Sequence, residues 1–426
     1  MPLGLNIPGR WRLPLNLAAF FTGIHHNYRN VDQKYTLVGK LDPASEEFTR
    51  AVEAVTGAPH AVGNHIQLLI DGDQIFPAML EAIGAAKSTV NFLTYVYWTG
   101  AIAHTFADAL SKQATAGIEC NLLIDAVGAG KIEKKLIKQM REAGVHIARF
   151  RPVTWTNVTR LDNRTHRKVL VVDGKIGFVG GVGIAEEWTG HAQDPKHWRD
   201  THVKVEGPAV RGLQGAFCGN WLEATGQVLA SERYLPHLET FPDGVLAQVT
   251  RSEAGKGDTN IETLFFLALA AASERIWLTT AYFAPRQAFI EALGAAVERG
   301  VDVRIIVPGP YADKFIVRAN GRETYKQLLK YDIKLYEYQP TMIHAKTITI
   351  DRVWSTIGSA NFDNRSFALN DEVNISVQDP KLAAALDAQF EQDQKLSKPV
   401  TLENWKHRST PEKAVEFVSS VVKREV

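Results

Sequence analysis

Residues 344–351 of this 426-residue chain read His-Ala-Lys-Thr-Ile-Thr-Ile-Asp, and residues 166–173 read His-Arg-Lys-Val-Leu-Val-Val-Asp. Each copy has a histidine, a lysine two residues later, and an aspartate after four more residues. Each leads into a glycine-containing stretch, residues 180–183 or 358–361. A single copy carries little information. Two copies with the same spacing indicate one site that is built from two half-sites.

The local pattern explains why these residue types occur at this spacing. The apolar run in each copy predicts a β-strand, and residues i and i+2 of a strand share a face. Histidine and lysine should therefore point the same way. Two such strands side by side would bring two imidazoles and two ammonium groups into one small volume. That arrangement suits an anionic tetrahedral group, with lysines neutralising its oxygens, one imidazole attacking and the other donating a proton.

The duplication extends well beyond the two motifs. Residues 106–124 match residues 289–307 at an offset of 183 (289 − 106), and each stretch reads as a helix followed by a strand. Residues 91–98 resemble residues 276–283, each a buried strand that ends in two aromatic residues. Strands that alternate with helices are typical of α/β layers with a parallel or mixed sheet. The sequence therefore predicts an α/β fold of two repeats, related by a pseudo-twofold axis and sharing one active site.

The predicted organisation has four segments. These are an N-terminal extension with possible membrane contact (1–58), a first half (59–242), a second half (243–400) and a C-terminal helical tail (401–426). The connection between the halves is placed in residues 231–258, which contain several prolines and glycines.

Composition places the chain among ordinary globular proteins. Hydrophobic residues make up 45% of it, so a core is easily built, and the formal net charge of +1 argues against a dedicated nucleic-acid binder. The two cysteines, Cys120 and Cys218, are too few for a disulfide scaffold, and we interpret them as packing residues or free thiols.

We expect the protein to contact the membrane surface without crossing the bilayer. The chain lacks an apolar run of about eighteen residues, so a transmembrane helix is not predicted. Residues 13–24 are apolar and follow Arg10 and Arg12. Three interpretations remain open for them: packing onto the domain, insertion into the membrane interface, and a signal peptide. We expect a peripheral protein at the cytoplasmic face of the membrane.

The second motif and its flank match H-x-K-x4-D-x6-G-S-x-N, and the chain thereby resembles the phospholipase D superfamily. The first copy departs from this signature, since Gly181 replaces the serine and Gly183 replaces the asparagine. Residues 362–372 are similar to the F-D-x-R-S-x-x-L-N-x-E run of bacterial cardiolipin synthases, and residues 198–208 resemble the segment after their first motif. The resemblance covers roughly residues 65 to 400 and implies two phospholipase D-like α/β/α repeats.

The resemblance implies a role for each motif residue. The catalytic residues would be His166, Lys168, Asp173, His344, Lys346 and Asp351. Ser359 and Asn361 would assist in binding the phosphate group. A downstream carboxylate would orient each histidine through its second ring nitrogen: Glu372 in the second half and its aligned counterpart Asp200 in the first.

Family analogy makes His166 the nucleophile of a phosphohistidine mechanism that uses neither a metal nor a cofactor. The cluster of His197, Asp200 and His202 fits no usual metal-ligand spacing.

The sequence therefore predicts a phosphatidyltransferase or phosphodiesterase acting on phospholipids, with cardiolipin synthase-like transfer to an alcohol as the first interpretation. Hydrolysis by a phospholipase D, a superfamily nuclease acting on DNA diesters, and a membrane-bound scaffold with a degenerate first site are the alternatives. Expected partners are a phospholipid substrate and a membrane surface, and nucleic acid is not expected. The headgroup, the acceptor and the oligomeric state are left open.

Overall fold

The computed structural model describes residues 35–152, 163–253, 258–313 and 315–406. The N-terminal apolar stretch and all but the first residues of the predicted C-terminal tail lie outside this range. No helix within it is long and apolar enough to cross a lipid bilayer.

Helices and strands alternate along the chain, as the sequence pattern predicts. The helices are α1 (Glu46–Thr56), α2 (Asp71–Gly84), α3 (Ala101–Thr115), α4 (Lys134–Glu142), α5 (Val210–Thr225), α6 (Asn260–Ala271), α7 (Gln287–Glu298), α8 (Phe315–Lys330), α9 (Asn364–Ala368), α10 (Pro380–Lys395) and α11 (Leu402–Lys406). The strands of the first half are β1 (His60–Ile70), β2 (Thr89–Thr94), β3 (Glu119–Asp125), β4 (His146–Phe150), β5 (Arg164–Thr165), β6 (Val169–Val172), β7 (Ile176–Gly180) and β8 (Thr201–Glu206). Those of the second are β9 (Val245–Ser252), β10 (Arg275–Thr279), β11 (Phe283–Ala284), β12 (Asp302–Pro308), β13 (Lys334–Tyr338), β14 (Thr347–Ile350), β15 (Trp354–Gly358), β16 (Phe362–Asp363), β17 (Asn370–Gln378) and β18 (Ser397–Val400).

One sheet runs through both halves in the described part of the chain. Its order is β18-β13-β12-β10-β14-β15-β17-β9-β1-β8-β7-β6-β2-β3-β4, with β5 pairing on β17. The halves join where β1 and β9 pair antiparallel, and from this junction the strand order repeats outward on both sides. The sheet is mixed, since β2-β3-β4 and β10-β12-β13 are parallel and the strands nearer the junction are antiparallel. The predicted α/β fold of two related repeats is confirmed.

Hydrophobic packing also follows the repeat. Each half has its own cluster of buried residues, which includes Phe106 of α3 in the first half and Phe289 of α7 in the second. A third cluster takes residues from both halves, among them Val203 on β8 and Ile375 on β17, so the halves share part of their core. Helix α1 lies in the segment that the sequence assigns to an N-terminal extension (1–58), and it inserts Phe48 into the second-half cluster.

The predicted match between residues 91–98 and 276–283 is wrong by one residue. Asn91 on β2 pairs with Val171, and Trp277 on β10 pairs with Thr349. Val171 and Thr349 are themselves equivalent through the motif offset of 178 (349 − 171), so Asn91 corresponds to Trp277. Both strands are buried throughout, and a strand that is apolar on both faces carries no alternating pattern to fix its register.

The motif aspartates lie in the turns that follow β6 and β14, with left-handed φ angles of 54° at Asp173 and 49° at Asp351. The Asp173 carboxylate accepts hydrogen bonds from the backbone N–H groups of residues 87–89, at 2.7 to 3.2 Å. Asp351 accepts the backbone N–H groups of residues 273–275 in the same way, at 2.7 to 2.8 Å. Each aspartate therefore holds the start of the neighbouring strand, β2 or β10, against the motif strand.

Replacing either aspartate should reduce stability more than chemistry. Asp173→Ala and Asp351→Ala each leave three backbone N–H groups without their charged acceptor, which should cost roughly 2–3 kcal/mol of unfolding free energy. Chemical denaturation measures this loss, and kcat per folded molecule should stay within about tenfold of the parent. A stably folded Asp173→Ala protein with a thousandfold lower kcat would instead support the catalytic role predicted from the resemblance.

Candidate active site

The histidine and lysine of each motif lie immediately before β6 or β14, and all four side chains are buried. Lys168 Nζ donates to the backbone carbonyl of His166 at 2.7 Å. Lys346 Nζ lies 2.9 Å from Nδ1 and 3.1 Å from Nε2 of the His344 ring. Each lysine therefore lies next to the histidine two residues before it, which agrees with the shared face predicted from the spacing.

A carboxylate from the opposite half faces each histidine. The Nδ1 atom of His166 lies 3.0 and 3.1 Å from the two carboxylate oxygens of Glu372. The Nδ1 atom of His344 lies 2.9 Å from Oδ2 of Asp200. The sequence predicts the pairing of Glu372 with His344 and of Asp200 with His166, within each half. That pairing is wrong, because the two carboxylates cross between the halves.

The crossing follows from backbone pairing. Strand β5, just before His166, pairs in parallel with the start of β17, and the His166 N–H donates to the carbonyl of Asp371 at 2.9 Å. On the other side, the His344 N–H donates to the carbonyl of Arg199 at 2.7 Å. In both cases the residue after the accepting carbonyl is the carboxylate. Each motif is thus fastened to the carboxylate segment of the other half.

The two carboxylates have different hydrogen-bond donors. Ser359 Oγ donates to Oε2 of Glu372 at 2.5 Å, so this predicted phosphate-binding hydroxyl is directed at the carboxylate. Asp200 receives the indole N–H of Trp188 at 2.8 Å. Gly181 stands where the second half has Ser359, and a Cβ atom there would lie 2.2 Å from Oδ1 of Asp200. The departure from the family signature therefore has a steric cause.

The second departure has a similar cause. A Cβ atom at Gly183 would lie 2.7 Å from Cβ of Val96 and 3.3 Å from the Trp188 ring. Its counterpart Asn361 is buried, and Oδ1 of Asn361 has no hydrogen-bond partner among the described residues. Because an amide can rotate to present either its oxygen or its NH₂ group, the Asn361 side chain is able to bind a group that enters the site.

The pKa values of the basic groups are set mainly by burial. Burial lowers the pKa of His166 to about 4; Glu372 opposes this shift and Lys168 adds to it. Burial also lowers the pKa of Lys346 to about 8, against the opposing charges of Asp200 and Glu372. At neutral pH the His166 imidazole is therefore uncharged, as a nucleophile must be, while Lys346 is still mostly protonated.

The pKa values of the two carboxyl groups, Glu372 and Asp200, shift in opposite directions. Burial acts to raise the pKa of Glu372, but the hydrogen bond from His166, the charge of Lys168 and the Ser359 hydroxyl outweigh it and hold that pKa below its ordinary value. Burial raises the pKa of Asp200, and the charge of Lys346 offsets only part of the effect. The pair of His166 and Glu372 is thus electrostatically distinct from the pair of His344 and Asp200.

Aromatic rings line the site, and the spacing of the two sequence motifs does not predict them. The Tyr95 ring centroid lies 5.2 Å from that of His166, and the rings of Trp188 and Trp198 lie 5.1 and 5.7 Å from that of His344. Tyr95 lies within the predicted buried strand of residues 91–98, and that pattern does not distinguish it from a core residue. The rings give both imidazoles a largely apolar environment, in which charges interact more strongly than in water.

A buried ion network positions Asp200. The Arg199 guanidinium lies 3.1 Å from Asp393 of α10 and 3.5 Å from Asp71, which follows β1. Asp71 also accepts the backbone N–H of Asp200 at 2.9 Å. Because Asp393 belongs to the second half and Asp71 to the first, the segment that carries Asp200 is held from both sides.

His197 and His202, which the sequence placed near Asp200, have separate environments. His197 Nδ1 pairs with Asp194 at 2.9 Å. His202 is buried and accepts the Val182 N–H on Nδ1 at 3.4 Å, as Asn374 accepts the corresponding backbone N–H in the second half at 3.2 Å. Among the described residues, no group of three or more histidine, cysteine or acidic side chains is arranged to hold a metal ion.

The crossed pairing predicts which histidine responds to which carboxylate. Because the charge of Glu372 acts to raise the pKa of His166, Glu372→Gln should lower that pKa further, by about one unit, and leave His344 unaffected. Asp200→Asn is the matched control: it removes the charge that faces His344 and that acts to raise the pKa of His202, and it should leave the pKa of His166 unchanged. Titration of histidine resonances by NMR measures both. A response of His344 to Glu372→Gln would contradict the crossing.

Comparison with known proteins gives consistent similarities. A family model described as "Cardiolipin synthase, PLD-like domain" matches residues 79–194 and 266–394. The chain is 31% identical to cardiolipin synthase 1 of Bacillus cereus over 385 residues, covering 88% of this chain and 75% of that protein. It is 34% identical to cardiolipin synthase A of Pseudomonas fluorescens over 349 residues, covering 81% of this chain and 71% of that protein.

Solved structures share the fold at low identity. Phosphatidylserine synthase of Haemophilus influenzae superposes with a TM-score of 0.67 at 15% identity, covering 89% of this chain and 97% of that one. Polyphosphate kinase of Porphyromonas gingivalis gives a TM-score of 0.54 at 15% identity, over 92% of this chain and 57% of that one.

Proposed function

Because the chain belongs to the cardiolipin synthase family of phospholipase D-like proteins, we propose that it transfers a phosphatidyl group from a phospholipid to an alcohol. The observation that carries this proposal is the pair of buried histidines, each with a carboxylate from the opposite half on Nδ1. A carboxylate on Nδ1 fixes the proton there, so Nε2 is the reactive atom. The two buried lysines beside them supply the charge for a phosphate group.

The reaction follows as two displacements. His166 Nε2 attacks phosphorus, the bond from phosphorus to the leaving alcohol breaks, and His344 gives its proton to the departing oxygen. An acceptor alcohol then passes its proton to His344 and attacks phosphorus, and the phosphorus–nitrogen bond breaks. Lys168 and Lys346 stabilise the charge on the phosphoryl oxygens in both steps, and Glu372 stabilises the His166 cation that forms.

We propose the glycerol headgroup of phosphatidylglycerol as the acceptor, since the relatives reported above are named cardiolipin synthases. Water in place of the alcohol would give hydrolysis. The aromatic rings of Tyr95, Trp188 and Trp198 favour transfer, because an apolar wall around the histidines limits the access of water to the intermediate.

Lipid analysis tests this proposal. Expression in a bacterial strain that lacks its own cardiolipin synthases should restore cardiolipin, and the purified protein should convert phosphatidylglycerol to cardiolipin and glycerol. The His166→Ala protein is the control for background activity. Release of phosphatidic acid alone would make the protein a hydrolase, and cleavage of DNA without any lipid turnover would favour the nuclease alternative.

The structure also suggests how a lipid reaches the site. Val127 follows β3 and Tyr311 follows the equivalent strand β12, and these apolar side chains are 48% and 45% exposed. The β3 loop packs beside the site, since a Cβ atom at Gly128 would lie 2.4 Å from the carbonyl oxygen of Tyr95, whose ring adjoins His166. We propose that both loops contact the membrane surface on either side of the site.

Aspartate in these loops should weaken membrane binding. Val127→Asp and Tyr311→Asp should each reduce binding to anionic phospholipid vesicles by about tenfold, because each replaces an apolar contact with a charge that the surface repels. Vesicle sedimentation measures this. Val62→Asp is the matched control, since Val62 is 59% exposed but lies at the far end of β1 from the site. Equal losses in all three proteins would contradict the assignment.

A further inference from the structure

The loops that follow the equivalent strands β3 and β12 carry opposite charges. In the first half, Lys131 of the β3 loop lies with Nζ 4.0 Å from the Trp98 ring centroid. In the second half, Asp313 of the β12 loop accepts the Tyr282 hydroxyl, with distances of 2.9 and 2.8 Å to its two carboxylate oxygens. The two halves therefore place a cation and an anion in equivalent loops.

Asp313 lies close to the reacting groups. The Tyr282 ring centroid, beside it, is 6.3 Å from that of His344. The charge of Asp313 acts against the lowering of the Lys346 pKa by burial, and it adds to the burial that raises the pKa of Tyr95, which adjoins His166. Asp313 is itself exposed to solvent, so its carboxylate is open to a substrate that approaches Lys346.

A carboxylate in this position needs an explanation. It repels the anionic phosphodiester that the two lysines attract, and the two displacements give it no proton to transfer. An ionised carboxylate only accepts hydrogen bonds, so it favours a part of the substrate that donates them.

Two kinds of headgroup donate hydrogen bonds: a neutral polyol and an ammonium group. Lys168 and Lys346 repel an ammonium group, whereas they exert no such repulsion on a neutral glycerol moiety. After it has accepted the Tyr282 hydroxyl, the Asp313 carboxylate still has lone pairs for two neighbouring O–H groups. The surroundings therefore favour a vicinal diol.

We propose that Asp313 and Tyr282 form a hydroxyl-binding subsite beside His344 that accepts hydrogen bonds from the glycerol moiety of the alcohol substrate. This inference rests on the proposed phosphatidyl transfer. The leaving alcohol departs from the face of phosphorus opposite His166, and the acceptor attacks the phosphohistidine on that same face. One subsite therefore serves both alcohols, and it selects glycerol over monohydric alcohols.

Competition between acceptors tests the subsite. The purified full-length protein is given phosphatidylglycerol with labelled glycerol and 1-propanol together, and the ratio of labelled phosphatidylglycerol to phosphatidylpropanol is measured. Both products arise from the same intermediate, so effects on its formation cancel. Asp313→Ala should lower this ratio about tenfold, because it removes a charged acceptor from the diol alone.

Controls separate the possible results. Asp313→Asn retains an acceptor oxygen and should lower the ratio less. Lys131→Ala, in the equivalent loop of the first half, should leave the ratio unchanged. An unchanged ratio in Asp313→Ala would overturn the subsite while leaving transfer established. With ethanolamine added as a third acceptor, a loss of transfer to ethanolamine without a loss of transfer to glycerol would also overturn the subsite. Failure of the parent protein to form either product would reject the proposed function itself.

Discussion

His166→Ala and His344→Ala are each expected to lower kcat by roughly 10⁴-fold or more, because the proposed nucleophile and the proposed acid come from different halves of the chain. Neither histidine can replace the other, since each reacts from its own side of the phosphate group. The measurement is release of the headgroup from a short-chain phospholipid that needs no membrane. A rate near that of the parent in either variant would contradict a site shared between the halves.

The His344→Ala variant should also reveal the intermediate. Without the group that activates the acceptor, a phosphatidyl group on His166 is lost slowly, so brief incubation with labelled phospholipid should leave label on the protein. A bond from phosphorus to histidine nitrogen is labile to acid and stable to base, which distinguishes it from a phosphoester. His166→Ala is the matched control and should retain no label. Intersecting kinetics in donor and acceptor without any trapped label would point to direct displacement.

Lys168→Met and Lys346→Met should each lower kcat/KM by roughly 10²- to 10⁴-fold, because each removes a buried ammonium group from beside the phosphoryl oxygens. Methionine keeps the length and apolar bulk of the lysine stem. Removing one partner of a buried ion pair is destabilising, and both lysines offset buried carboxylates, so the melting temperature is measured beside kcat/KM and the rate is expressed per folded molecule. This separates lost chemistry from lost folding.

The exposed Lys131→Met variant is the control for a general loss of positive charge, and its kcat/KM should remain within a few fold of the parent. If Lys168→Met retained more than a tenth of the parent value, the first lysine would not contribute to phosphate binding.

The fold and the four central side chains were predictable because their signals are local or repeated. The spacing of His166 and Lys168 recurs at His344 and Lys346, and the same runs give the strands β6 and β14. Alignment of the downstream segments even identified Asp200 and Glu372 as counterparts. What alignment lacked was the partner of each, since the choice depends on how β5 pairs with β17 across the molecule.

Other features of the site become clear only from three-dimensional contacts, in which one side chain supplies a hydrogen bond that another side chain supplies in the other half. Gly181 reads as a defect in the first motif until Trp188 is seen to supply the donor that Ser359 supplies in the second half. No periodicity in the sequence connects Gly181, Trp188 and Asp200. The register error at β2 has a comparable origin, since a strand buried on both faces carries no alternation.

The crossed carboxylates have a consequence for how the two halves are free to diverge. In a dimer of identical copies, each contact made by one copy is repeated by the other, so both histidines would have the same neighbours. A single continuous chain removes that constraint. Here His166 contacts Glu372, which accepts the Ser359 hydroxyl. His344 contacts Asp200, which accepts the Trp188 indole N–H. Covalent fusion thus permits a division of labour between two sites of common design that no symmetric assembly could encode.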